Sequence, residues 1–256
     1  MMFDETSSAA GAALLAALLL ALAAPARAAH PLVTDDTGTQ GSGRWQLELN
    51  TDHARIRDAG NSAWEREANA SLTRGLSETL DVAVNLPWAR LGSAVGPGRS
   101  GPADATLLAK WRFHDDGRGW TLGLRPEVTL PTGNEAKGLG NGRATASLTL
   151  LSDYRSGAWG WIANAGYAYN DNSVGDRRHL WAASTAILYE LGEQWTLAAD
   201  MGASRAAVAG ARTARFGLVG VIWHIAAAVD LDAGWRRNLG AGSRAHALGA
   251  GLTLRW

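Results

Sequence analysis

Hydrophobic and polar residues alternate with period two along most of this chain. In Arg44–His53 (RWQLELNTDH), Trp45, Leu47 and Leu49 fall on one face, and Arg44, Gln46, Glu48, Asn50 and Asp52 on the other. Such alternation predicts a strand with one apolar and one polar face. The pattern recurs over 63–74, 79–90, 103–114, 119–132, 143–155, 158–170, 193–205, 226–237 and 244–256. In 103–114, for example, Ala105, Leu107, Ala109, Trp111 and Phe113 oppose Asp104, Thr106, Lys110, Arg112 and His114. Over 179–191 the alternation is weaker, with Trp181, Ile187 and Tyr189 on the apolar face, and the facing of 212–224 is ambiguous. Twelve strands of about 11–14 residues result, well beyond the ~5–6 usual in soluble proteins.

Turn signals separate the strands, and the connections alternate in length. GLSE, DDGRG, RSGA, LGEQ and a tight His224-Ile225 corner are short; GPGRSGP, PTGNEAKGLGNG and NDNSVGD are longer. Short turns at one end and longer loops at the other predict a transmembrane β-barrel. The polar face carries full charges on nearly every strand, which a dry core would not tolerate but a wet lumen would. Trp and Tyr cluster near the ends of the apolar face, as interfacial girdles do. The fold class expected is all-β: a twelve-stranded antiparallel outer-membrane β-barrel with a polar lumen and both termini at the periplasmic end. The last strand closes on the aromatic Trp256, the usual form of a signal to the outer-membrane assembly machinery. A secreted soluble β-sandwich or repeat protein is the alternative, and strand length argues against it.

The N-terminus reads differently. Residues 9–24 (AAGAALLAALLLALAA) are apolar and uncharged, and Ala26-Arg27-Ala28 follows as a small-x-small cleavage signal. Residues 1–28 are therefore read as a secretory signal peptide, although Asp4 and Glu5 make its start atypically acidic and leave the true start codon open. Residues 29–43 form a periplasmic N-terminal segment, and 44–256 the barrel. The longest later apolar stretch, Phe216–Val229, is too short to span a membrane as a helix.

Composition narrows the function. Lys+Arg and Asp+Glu are both 24, which disfavours a nucleic-acid partner. With no Cys there is no disulfide scaffold, thiolate metal site or cysteine nucleophile. The six His (His30, His53, His114, His179, His224 and His246) show no metal-ligand spacing on one face, and no Gly-x-Ser-x-Gly elbow occurs. No catalytic residues, metal or cofactor are expected.

Sorted by face, the inward bases are Arg44, Lys110, Arg112, Arg125, Arg143, Arg155, Arg236 and Arg255. The inward acids are Glu48, Asp52, Glu65, Glu67, Asp81, Asp104, Glu127, Asp153, Asp200, Asp230 and Asp232. They serve either as ion pairs that hold the wall in register or as the lining of a solute path. Asp35 and Asp36 mark the segment before the first strand as a candidate plug whose acids pair with lumen arginines. Pro87 and Pro126 lack the N–H that a ladder needs, so each marks either a local kink or a lateral gap.

Several motifs, in order, resemble the outer-membrane "meta-pathway of phenol degradation" family of transporter-like proteins. They are His30–Thr39 (HPLVTDDTGT), Gly43–Glu48 (GRWQLE), Gly101–Thr106 (GPADAT) running into Lys110–Phe113 (KWRF), Leu130–Gly133 (LPTG) and Asn164–Tyr167 (NAGY). The resemblance spans 30–256. It implies a barrel in the Gram-negative outer membrane that passes small, often aromatic or hydrophobic, molecules, and it supplies no catalytic site. The expected function is a porin-like channel or transporter for passive uptake, with outer-membrane lipid and an unidentified small solute as partners. A closed structural or assembly-type barrel is the alternative, and an outer-membrane enzyme the third.

Overall fold

The computed structural model describes residues 30–58, 61–93, 98–240 and 244–256. The signal-peptide reading for 1–28 lies outside the described residues. The strands are β1 (Trp45–Asp58), β2 (Asn61–Gly75), β3 (Leu80–Ser93), β4 (Arg99–Pro102), β5 (Thr106–Asp115), β6 (Trp120–Thr129) and β7 (Thr145–Ser156), then β8 (Trp159–Tyr169), β9 (His179–Leu191), β10 (Trp195–Ser204), β11 (Ala214–Ala226), β12 (Val229–Asn238) and β13 (Arg244–Arg255). Twelve long strands pair antiparallel with their neighbours in sequence, and β1 pairs with both β2 and β13, so the sheet closes into a barrel. The short β4 is an addition: it pairs along the far end of β3, while β5 pairs with the near end.

Closure answers the period-two pattern. One face of each strand points outward and stays exposed, as at Leu86, Trp88, Leu148 and Leu248. The other face lines the interior. In β9, Ile187 is 52% exposed while the adjacent Leu188 is 4% exposed. At the short-turn end the indoles of Trp195 and Trp223 stack at 5.4 Å. Trp88, Trp181, Trp235, Tyr167 and Tyr169 lie exposed toward the long-loop end. The two aromatic sets bracket the aliphatic band, as girdles bracket a lipid-facing wall.

Several local expectations are corrected. A register shift between Arg112 and His114 inserts Phe113 as an extra residue. A bulge of this kind reverses the facing beyond it, so His114 stands with outward Leu122, its ring 5.7 Å from Trp120. A second shift between His224 and Ala226 moves the expected His224-Ile225 corner to residues 227–228. The facing of 212–224 resolves with Leu218 and Ile222 buried inside and Val219 and Trp223 exposed outside. The lumen is thus apolar in one sector, where Ile162, Ala186, Leu188 and Ala198 pack together against Leu32. Apolar residues on both faces weakened the alternation over 179–191.

The two prolines fall at breaks in pairing. Pro126 and Arg125 of β6 have no bridge to β5, although Leu108↔Glu127 and Trp111↔Leu124 on either side keep one register. Pro87 marks the point where β3 exchanges β5 for β4, and its carbonyl accepts from the Ala103 N–H.

The seam between first and last strands is reinforced by side chains. Arg255 Nε donates to Gln46 Oε1 (2.9 Å), and its Nη2 to Asp230 Oδ2 (2.7 Å). Asp230 Oδ1 in turn meets His224 Nδ1 (2.8 Å), and His224 Nε2 meets Thr196 Oγ1 (2.9 Å). Arg255 and Asp230 are both buried. Removing one partner of a buried pair strands the other charge, so Arg255→Ala should cost about 3 kcal/mol. Gln46→Ala, which removes a single hydrogen bond, should cost about 1 kcal/mol. The urea concentration at which the compact, heat-modifiable band is lost on detergent gels checks both values and their order.

Candidate functional site: the lumen and the segment that enters it

Residues 30–43 run through the barrel interior before β1. An extended segment inside a lumen must place its backbone N–H groups as well as its side chains. Strand carboxylates take several of them. Asp200 of β10 accepts from the N–H groups of Val33 (2.8 Å) and Thr34 (2.9 Å) and from the Thr34 hydroxyl (2.7 Å). Asp81 of β3 accepts from Gln40 N–H. Asn164 of β8 binds Asp35 twice, through its N–H and its carbonyl, each at 2.8 Å. Near the short-turn rim, Glu78 accepts from Ser42 N–H.

The segment's own acids meet the lumen bases. Asp35 Oδ1 lies 2.7 Å from Lys110 Nζ, and its Oδ2 2.7 Å from Arg125 Nη1. Asp36 lies 3.5 Å from Lys110 and 3.9 Å from Arg155. Burial alone would raise the Asp35 carboxyl; Lys110 and Arg125 outweigh it and hold the group below the usual carboxylate range. His30 sits against Asp232 and 3.7 Å from Asp52. Burial disfavours its charged form, but the two carboxylates prevail and raise its pKa to about 9.

Glycine makes room for this end of the segment. A Cβ on Gly220 would come within 2.6 Å of the Pro31 ring, and one on Gly234 within 2.7 Å. These positions are cross-strand partners on the lumen face of β11 and β12. Glycines in lumen register on adjacent strands are the signal that a chain lies against them.

The sequence-derived lumen residues separate into groups. Lys110, Arg125, Arg155, Asp81 and Asp200 meet the N-terminal segment, as do Asp232 and Asp52. Asp153 binds Arg155 (2.7 Å), and Glu127 lies 3.9 Å from Arg125. Arg112 reaches the Glu78 carbonyl at the rim (3.0 Å). Asp230 and Arg255 belong to the seam. Glu48, Glu65, Glu67 and Arg236 lie in lumen register on β1, β2 and β12. Three assignments are corrected, because their residues lie outside the long strands. Arg44 is exposed just before β1, and Arg143 is exposed in the loop before β7, 3.5 Å from Asp171. Asp104 accepts from the N–H groups of Gly133 and Asn141, pinning the long loop after β6.

Two spaces flank the β3–β5–β6 wall. Inside, a 240 Å³ cavity lies between the segment and the wall, faced by Gln46, Asn50, Asn69, Asn85, Ser71 and Thr73. Outside, an apolar groove of about 870 Å³ runs past Leu72, Val82, Val84, Leu107, Pro126 and Val128. Ala83 and Leu108, which are cross-strand partners, line both spaces.

Among the described residues no cluster of His, Asp and Glu could hold a metal ion. The Thr196–His224–Asp230 string has the order of a catalytic triad. However, Thr196 is 1% exposed and Asp230 is engaged by Arg255, so the string reads as part of the wall.

A family model described as "Putative MetA-pathway of phenol degradation" matches residues 34–256. No curated protein matches the chain. Among solved structures, an outer membrane channel from Pseudomonas putida F1 is similar with a TM-score of 0.77 at 18% identity, covering 88% of this chain and 100% of that one. The NanC porin is similar with a TM-score of 0.57 at 8% identity, over 80% of this chain and 98% of that one. The β domain of the Bordetella autotransporter BrkA follows at 0.56 and 14% identity, over 84% and 100%. The shared fold is the outer-membrane β-barrel.

The His30 contacts give the seating of the segment a pH dependence with a definite sign. The pKa is raised on docking, so the contribution is complete below about 6.5 and is lost as pH rises through about 9. Protease access to residues 30–43 in the folded barrel should therefore increase between pH 7 and 9.5. His30→Gln should show high access throughout, with the dependence flattened.

Proposed function

The chain belongs to this phenol-degradation family, and from that premise we propose that it is an outer-membrane channel for passive uptake of small molecules, with residues 30–43 as its constriction. The observation that carries the reading is the seating of that segment: its backbone is held by strand carboxylates, and Asp35 is held by Lys110 and Arg125. The 240 Å³ cavity beside the segment is lined largely with amides, hydroxyls and charges. A closed structural barrel would need no chain threaded through it, since ion pairs between strands already span the wall.

A second route is favoured by a specific observation. The ladder between β5 and β6 is unbridged at Pro126, the outer groove lies over that step, and Ala83 and Leu108 line both the groove and the cavity. We propose that apolar solutes, of the aromatic class the family name suggests, pass between lumen and lipid here. Polar solutes and ions would be confined to the lumen.

Two measurements test these routes. Deleting residues 30–43 should raise single-channel conductance severalfold in planar bilayers; unchanged conductance would remove the constriction reading. Pro126→Val restores a ladder N–H, with the ~1 kcal/mol that such a bond contributes. It should slow uptake of phenolic and alkyl-aromatic solutes into proteoliposomes severalfold while leaving ionic conductance unchanged. Equal loss of both would place the aromatic path in the lumen instead.

A further inference from the structure

The apolar band on the barrel exterior ends in cations at the long-loop end of β12, β13, β1, β2 and β3. Cross-strand register arranges them in two rows. One row runs His53–Arg66–Arg90, and the next runs Arg237–His246–Arg55–Trp64. All share the outward face with Leu49, Leu72 and Leu248. Arg55, Arg66, Arg90, Arg237 and His246 are exposed.

The patch is ordered around one indole. The guanidiniums of Arg66 and Arg90 lie 5.3 and 5.6 Å from the Trp64 ring centroid, within cation–π range. Arg66 Nε also donates to His53 Nδ1 (3.3 Å). Among the described residues, none of these arginines has a carboxylate partner, and no acid shares their face on these strands. The nearby Asp52, Glu65 and Glu67 all occupy the lumen register. Arg66 and Arg90 are directly opposed across β2 and β3, and like charges so placed weaken a sheet. The arrangement costs stability unless an anion lies over it. The opposite end of the same face carries only Arg74, laid on Trp45 and bonded to the Gly43 carbonyl.

The patch begins where the aliphatic band stops, at the level of lipid headgroups. An anion at that depth is carried by a lipid, and guanidiniums bind phosphate oxygens in pairs. From this geometry we infer that the outer wall around Trp64 is a binding site for the phosphates of the outer-leaflet glycolipid, the lipid A moiety of lipopolysaccharide. The inference rests on the outer-membrane reading, with the long loops facing outward. Arg66 and Arg90 grip the phosphate, and Arg55 and Arg237 extend the site along the rim.

The test uses the full chain in detergent, with bisphosphorylated lipid A in mixed micelles as probe and native mass spectrometry as readout. Arg66→Gln/Arg90→Gln should weaken retention about tenfold, while Arg118→Gln, which removes a cation from a short turn at the opposite end of the barrel, should retain it. Dephosphorylated lipid A should bind the native protein no better than lipid A binds the double variant, and inorganic phosphate should not displace the lipid. Equal retention by native protein and double variant, equal binding of dephosphorylated lipid, or displacement by free phosphate would each overturn the site. Heat-modifiable migration verifies that the variants fold. Orientation is checked separately. The chain has no cysteine, so Lys137→Cys in a long loop should react with an impermeant maleimide on intact cells. Labelling only after lysis would overturn the leaflet assignment, whatever the micelle result.

Discussion

A backbone that crosses lipid has no water to satisfy its N–H and C=O groups, so the wall must satisfy them itself. Every major feature of this structure follows from that requirement. The sheet closes through β1 and β13 because an open edge would leave a row of unmet groups. Closure gives each strand one face in lipid and one in the lumen, which is the period-two pattern of the sequence. It also gives breaks in the ladder more weight than they would have in water. The unbridged step at Pro126 and the exchange of partners at Pro87 lie on β6 and β3, the two strands that flank β5, beside the wall shared by the outer groove and the inner cavity.

The lumen repeats the same problem on a smaller scale. Residues 30–43 enter it as an extended chain with unpaired backbone donors. Asp200 and Asp81 meet several of these donors, so some of the acid excess in the lumen serves backbone N–H groups rather than arginines. The bases have the complementary task of neutralising Asp35 and Asp36. Leu32 covers the apolar sector on β8–β10, and Pro31 lies on glycines of β11 and β12. Charge, hydrogen bonding, apolar contact and close approach thus all position one short segment.

Strand number, facing and the two-ended loop pattern were legible in the sequence because period two is a strong local signal once a strand exceeds ten residues. The candidate acids Asp35 and Asp36 were also visible, as charges in a segment that precedes the first strand. What was not legible is non-local. The bulges at Phe113 and Ile225 depend on the partner strand, so parity counted along one strand placed His114 on the wrong face. Ala186 and Leu188 face inward where Leu32 packs against them, and a single strand cannot reveal what covers them. Arg44, Asp104 and Arg143 obey the alternation yet lie past the strand ends, where alternation no longer reports facing.

The charge network and the weakest step of the wall share residues. The register on either side of the Pro126 break sets Lys110 opposite Arg125 and Ala109 opposite Pro126. Where the backbone makes no bridge, two cations therefore face each other across neighbouring strands, an arrangement that by itself pushes the strands apart. Asp35 places one carboxylate oxygen on each. Its single negative charge turns a repulsive pair into a three-member bridge spanning β5 and β6 at the step the ladder omits. The carboxylate that holds the segment in the lumen is thus also the side-chain link across the break. Withdrawing the segment would widen the lumen and, at the same time, restore repulsion where the apolar groove meets the wall.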